Sequence, residues 1–113
     1  MEQFKIQHED LDKIFFCLSD PHRRSILSLL VSQDLTVGVI AKKTKITIAS
    51  ASKHLQVLVR CELISKARFG RSKLCKINFV KLSEANAWLS SIGLLNSLDI
   101  SKLEDFLSTE NIL

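Results

Sequence analysis

The apolar positions fall into runs of different period. Leu11, Ile14, Phe15 and Leu18 recur on one helical face, which predicts a first amphipathic helix from about His8 to Leu18. Phe16 and Cys17 widen that face beyond what one small core needs and point to a partner chain. Ser19-Asp20-Pro21 reads as a helix start, with Asp20 as cap and Pro21 in the first turn. Ile26, Leu27, Leu29, Leu30 and Val31 then carry a second helix to about Ser32. Gln33-Asp34-Leu35 reads as a short connection. Thr36 caps a third helix, Val37 to about Thr44, that buries Val37, Ile40 and Ala41.

Lys45 and Ile46 leave only a tight turn before a fourth helix, which starts at the capping residue Thr47 and runs to Arg60. At helical spacing Ile48, Ala51, Leu55, Leu58 and Val59 fall on one side, and Ala49, Ser50, Lys53, Gln56 and Arg60 on the other. Two short helices joined this closely make a helix-turn-helix. The outer side is small and polar at its start and cationic further along. Such a helix can enter a DNA major groove, where Ser, Lys and Gln reach base edges and phosphates. The same pattern also fits an ordinary surface helix with a solvated polar face.

Beyond Glu62 the period changes to two. Leu63 to Phe69 reads as a strand, Gly70-Arg71-Ser72 as a turn, and Lys73 to Phe79 as the returning strand, with Cys75, Ile77 and Phe79 in alternation. Lys66, Arg68, Arg71, Lys73 and Lys76 make this hairpin a cationic arm, able to follow phosphates or tip into a minor groove. From Lys81 the helical period returns. Leu82, Ala85, Trp88, Leu89, Ile92 and Leu95 form one stripe, and Leu98, Ile100, Leu103, Phe106 and Leu107 a short last helix.

With 46% apolar residues in 113 the chain is no disordered tail, and its length points to one domain, 1–113. No apolar run is long enough to span a membrane, and the start Met1-Glu2-Gln3-Phe4-Lys5 has no signal-peptide form. The expectation is a cytoplasmic protein without a membrane partner. The net charge of +4 hides a division. Between Lys42 and Lys81 there are 11 Lys and Arg against the single acid Glu62, a segment of +10. The rest of the chain has a net charge of −6. A basic middle between acidic flanks matches the electrostatic footprint of nucleic-acid binding.

Candidate chemistry is otherwise sparse. Cys17, Cys61 and Cys75 are far apart, with no Cys-x-x-Cys and no His at ligand spacing, so no metal site and no cofactor are expected. Buried, reduced thiols fit this usage; a redox-active Cys17 or Cys61 is the other reading. His8, His22 and His54 are not grouped with carboxylates or a nucleophile, so no enzyme is expected. Arg23 and Arg24 sit early in the second helix, against its dipole. That placement suggests an acidic side chain or a phosphate as partner, or a local ion pair with Asp20.

The ordered pieces resemble the ArsR/SmtB type of winged-helix regulator. Leu18-Ser19-Asp20-Pro21-His22-Arg23-Arg24-Ser25-Ile26-Leu27 is similar to that family's entry to its second helix. Ala51-Ser52-Lys53-His54-Leu55-Gln56-Val57-Leu58 is similar to its recognition helix. Leu63-Ile64 with Gly70-Arg71 matches its strand and wing, and Ala87-Trp88-Leu89 resembles the tail of a branch without obvious metal sites. The resemblance covers roughly residues 11 to 107. It implies a mainly α fold with a small antiparallel β-hairpin, in the order α-α-α-α-β-β-α-α. It also implies a homodimer closed by the first and C-terminal helices, about 8–18 and 81–108, through Leu11, Phe15, Phe16, Trp88, Leu89 and Ile92. It further implies a repressor that binds double-stranded DNA at an inverted-repeat operator.

Carried over by position, the DNA contacts are Ala49, Ser50, Ser52, Lys53 and His54, with Arg71 and Lys73 in the wing. Gln56 and Arg68 join them from the pattern of the outer helix side and the cationic arm. Relatives often carry polar residues where this chain has Ile48 and Ala49, which offer a thymine methyl only an apolar contact. The family's metal ligands are not matched in the third helix, Leu35-Thr36-Val37-Gly38-Val39-Ile40, or in the penultimate one. The resemblance therefore names no effector. A thiol- or metal-responsive sensor of the same family and a winged-helix protein-interaction module stand as alternatives.

Overall fold

The computed structural model describes residues 8–93 and a helical stretch at 104–108. Five helices and three strands follow one another over the first range. They are α1 (His8–Leu18), α2 (Pro21–Leu30), β1 (Leu35–Thr36), α3 (Val37–Thr44), α4 (Ile48–Arg60), β2 (Ile64–Phe69), β3 (Ser72–Ile77) and α5 (Phe79–Ser91). The expected Leu95, Leu98, Ile100 and Leu103 lie outside the described residues. Phe106 and Leu107 lie in the helical stretch.

The core sits between the helices and the sheet. Ile14 and Cys17 of α1, Ile26 and Leu30 of α2, Ile40 of α3, Leu55 and Leu58 of α4, then Leu63 and Cys75 close it. Cys17, read with Phe16 as surface beyond the needs of one core, is fully buried within the protomer. Leu11, expected to face a partner chain, is instead 5% exposed within the protomer. It lies one turn before Ile14 on the inward face of α1, so it is removed from the partner-facing set.

The sheet differs from the expected hairpin. Leu35 and Thr36, read as connection and cap, form an edge strand that pairs antiparallel with β3, Leu35 opposite Cys75 and Thr36 opposite Leu74. The strand order is β1-β3-β2. Thr36 consequently makes no side-chain cap bond to α3. The returning strand ends at Ile77, and Phe79, expected to continue its alternation, is exposed at the start of α5. The reason is Asn78: its side chain accepts from the Lys81 amide at 3.2 Å, a cap that starts the helix two residues early.

Two turns position the parts that face outward. Lys45 ends α3 in the left-handed region, φ 61°, while its own amide and that of Ile46 bond back to Lys42 and Ala41. This closes α3 against α4 with almost no loop. At the wing tip Phe69 pairs with Ser72, leaving Gly70 and Arg71 as a two-residue turn. Gly70 has φ +63°, which the first position of such a turn requires.

Among the described residues, Arg23 and Arg24 bond backbone carbonyls instead of an acidic side chain. The Arg23 guanidinium donates from Nε to the Cys17 carbonyl at 2.8 Å and from Nη2 to that of Phe16 at 3.2 Å, and lies 5.2 Å over the Phe16 ring. Arg24 donates to the Leu18 carbonyl at 2.7 Å. The last carbonyls of α1 lack i+4 helical amides, and the two guanidinium groups supply donors to them, joined at Phe16 by the Ser19 amide and hydroxyl. Asp20 instead caps α2 through the His22 and Arg23 amides at 2.8 and 3.2 Å.

A candidate DNA interface

Thr47 starts α4 as expected: its hydroxyl accepts from the Ser50 amide at 3.0 Å. Ala51, Leu55 and Leu58 are fully buried and anchor the helix on the core. Ala49, Lys53, Gln56 and Arg60 are exposed along the opposite side. Ser50 and Ser52 sit half-buried at its two edges. Ile48 and Val59 were expected on the inner side, yet Ile48 is 61% exposed and Val59 is also exposed. Both lie at the ends of α4, and the side chain of a first-turn residue leans beyond the helix start, off the core.

The wing stands beside this helix. Arg68 pairs across the ribbon with Lys73, and Lys66 with Cys75. Side chains alternate along a strand, so Lys66, Arg68 and Lys73 share the face that buries Ile64, Cys75 and Ile77 further down. Arg71 is exposed in the tip turn. Of the 11 cations between Lys42 and Lys81, ten are exposed, on the end of α3, on α4 and on the wing. The eleventh, Lys81, is held away from them. Its amine lies 3.4 Å from Asp10, 3.6 Å from Glu84 and 3.9 Å from Glu62. Burial alone would lower its pKa, but these carboxylates outweigh burial and raise it above the ordinary lysine value.

His54 points back into the protein rather than along the outer side. Its ring lies 5.3 Å from that of His22, and its Nδ1 is 3.9 Å from the Asp20 carboxylate. Burial pulls the Asp20 pKa upward. The Arg23 and His22 amides and the nearby His54 and Arg23 charges outweigh it, holding the carboxyl below its ordinary value. His54 therefore ties the middle of α4 to the start of α2 and fixes the tilt of the exposed face. The periodicity of α4 does not show this, because the partner lies on another helix.

The cysteines are packing groups. All three are buried and free. Burial, reinforced by the adjacent Cys61 thiol, pushes Cys17 up to about 12, so it stays protonated and a poor nucleophile near neutral pH. Burial also raises Cys75. Among the described residues no three His, Cys, Asp or Glu side chains group as metal ligands. Nor is any described helix long and apolar enough to cross a membrane.

Among the described residues, α1 and α5 leave several large apolar side chains exposed. Phe15 and Trp88 meet edge to face with ring centroids 6.1 Å apart, and remain 39% and 37% exposed. Phe16 and Ile92 are also exposed, and Leu89 is half-buried.

Residues 18–66 match a family model described as a helix-turn-helix domain. The chain is 37% identical over 79 residues to the transcriptional repressor SdpR of Bacillus subtilis (strain 168), a match covering 70% of this chain and 88% of SdpR. A crystal structure of an ArsR family transcriptional regulator superposes with TM-score 0.69 at 32% identity, covering 75% of this chain and 88% of that one. A solution structure from Mycobacterium bovis, a homodimeric winged helix-turn-helix DNA-binding domain of a possible ArsR-family regulator, gives 0.63 at 25% identity, with 74% and 79% covered. The chain belongs to the ArsR family of winged helix-turn-helix, DNA-binding transcriptional regulators.

Proposed function

We propose that a homodimer of this chain represses transcription in the cytoplasm by occupying an inverted-repeat operator. In this reading α4 lies in the major groove and the wing follows the flanking backbone. The observation that carries it is the grouping of ten exposed cations on α3, α4 and the wing, around a helix whose opposite side is anchored in the core. Such a surface neutralises phosphates over several ångströms without needing any one base. The Mycobacterium bovis relative is described as homodimeric and SdpR as a repressor, which supports both parts of the reading. The dimer has two copies of α4, so half-sites are centred about one helical turn, roughly 10–10.5 bp, or a multiple of it apart.

In this arrangement Lys53 and Gln56 face base edges, Ser50 and Ser52 flank them, and Arg68, Arg71 and Lys73 bind phosphates. His54 acts through position rather than contact. No catalytic step, cofactor or metal enters the reading. Arg71→Ala and Lys53→Ala test it by salt-dependent binding to one operator and one scrambled duplex. Each lost phosphate contact flattens the slope of log affinity on log salt by about 0.9, and a dimer doubles this, so Arg71→Ala flattens it by roughly 1.8 on both duplexes. Lys53→Ala costs about 1–3 kcal/mol per half-site on the operator and much less on scrambled DNA. Wild-type slopes and affinities in both variants would overturn the placement. A protein-interaction module would bind neither duplex with salt dependence.

A further inference from the structure

The first turn of α4 presents hydrocarbon within the cationic surface, as Phe69 does near the wing tip. Ile48 and Ala49 are both exposed there, between the exposed cations Lys45 and Lys53. The hydroxyl oxygen of the adjacent Thr47 is already engaged by the Ser50 amide. Ala49 lies in the middle of the outward side and is too short to reach past the backbone. It lets the helix start approach a groove closely. Ile48 is the long side chain at that end, and it leans beyond the helix start. A single exposed apolar residue needs no explanation on an ordinary surface. Here it sits where a base edge is expected, among groups that would otherwise seek phosphate. Only one base edge in the major groove carries an apolar group, the C5-methyl of thymine.

We infer that Ile48 is a specificity-determining residue that packs on a thymine methyl in each half-site, so that the operator carries a T·A pair beneath the start of α4. This rests on α4 being the recognition helix. Lys53, more than one turn further along, would read a neighbouring pair. Ile48 would therefore set one position of the half-site and Lys53 another. An apolar contact is blind to hydrogen-bonding pattern but sensitive to the presence of one methyl group.

Deoxyuridine pairs as thymine does and lacks only that methyl. The full chain is first used to select its preferred duplex from a pool with a randomised core. Each thymine of the selected duplex is then replaced in turn by deoxyuridine, and binding of wild type, Ile48→Ala and Lys53→Ala is compared. One replacement per half-site should weaken wild type by about fourfold, the value of one buried carbon. The same replacement should leave Ile48→Ala unchanged, since the contact is already gone. Ile48 is exposed, so Ile48→Ala keeps the fold, and its far-ultraviolet circular dichroism should match wild type. The inference is overturned if no replacement weakens wild type, or if the sensitive replacement remains sensitive in Ile48→Ala. In either case, weakened binding by Lys53→Ala would leave α4 in the groove and remove only the role of Ile48. Selection of no preferred sequence, or unaltered binding by both variants, would remove the recognition-helix reading and this inference with it.

Discussion

Lys81 separates counting charges from locating them. It belongs to the basic segment by position, but its amine is enclosed by Asp10, Glu62 and Glu84, which come from α1, from the turn after α4 and from α5. It is an internal tie, and its pKa stands above the ordinary lysine value of 10.5. A cation bound more tightly to its proton in the folded state stabilises that state fully below its ordinary pKa. The contribution fades as pH rises through the higher, folded value. Lys81→Met should lower the unfolding free energy at pH 7 by about 1–2 kcal/mol, because three carboxylates lose their shared counter-charge. Urea titrations of both proteins should show that gap closing at pH above the ordinary lysine range. The salt slope of DNA binding should stay at the wild-type value, because Lys81 does not face the DNA. An equal stability of the two proteins at pH 7 would show that the tie contributes nothing. No count along the sequence could single out Lys81 from Lys76, since its partners are distant in the chain.

At the scale of elements, α1 and α2 are joined by arginines that end one helix from within the next. The Cys17 carbonyl depends on the buried Arg23 guanidinium, and Phe16 shares its carbonyl between Arg23 and Ser19, whereas the Leu18 carbonyl bonds Arg24 in an exposed position. Arg23→Met should therefore cost about 2–3 kcal/mol in thermal or urea unfolding, because buried acceptors lose a charged donor. Arg24→Met should cost about 1 kcal/mol or less, since water can replace the lost donor. Equal losses would mean that burial does not distinguish the two. Where an element's boundary is set locally, the sequence is sufficient: α1 spans the range its period gives, and α4 starts at its capping residue Thr47 and runs to Arg60. Where a neighbour sets it, local pattern fails. β1 is two residues long and exists only because β3 lies beside it. Phe79 fits the strand period, but the Asn78 cap claims it for α5. Ile48 fits the inner side of a helical wheel, but a wheel does not record that α4 overhangs the core at its start. The candidate interface followed the same rule. Lys53, Gln56 and the wing cations were legible from period and charge. A partly buried His54 was one of two readings, but its neighbours Asp20 and His22 were not legible, because they lie outside α4.

At the scale of the whole molecule, two exposed surfaces stand out among the described residues, and they differ in chemistry. The cationic surface of α3, α4 and the wing suits a polyanion. The face of α1 and α5 suits only another apolar surface, because Phe15, Phe16, Trp88 and Ile92 stand in water there while Leu11 and Ile14 hold α1 to its own core. A two-fold axis through that face would present the two cationic surfaces side by side, which an inverted repeat requires. Leu89 of α5 is half-buried beside Trp88 in the chain, so an acid placed there keeps partial access to water in a monomer. In a dimer the two-fold axis would bury two such charges without counter-ions, which strongly destabilises the assembly. Light scattering at micromolar concentration should give a dimer for wild type and a monomer for Leu89→Asp, with circular dichroism unchanged. Leu11→Asp is the contrasting case: Leu11 is buried within the protomer, so that change should unfold the chain rather than divide the dimer. The monomeric Leu89→Asp should keep binding scrambled DNA through its intact cations. It should lose far more affinity for the operator, because its two half-sites must then be filled by separate molecules. A wild-type monomer at micromolar concentration would remove the two-fold arrangement and with it the pairing of half-sites, while leaving the cationic surface of the single chain in place.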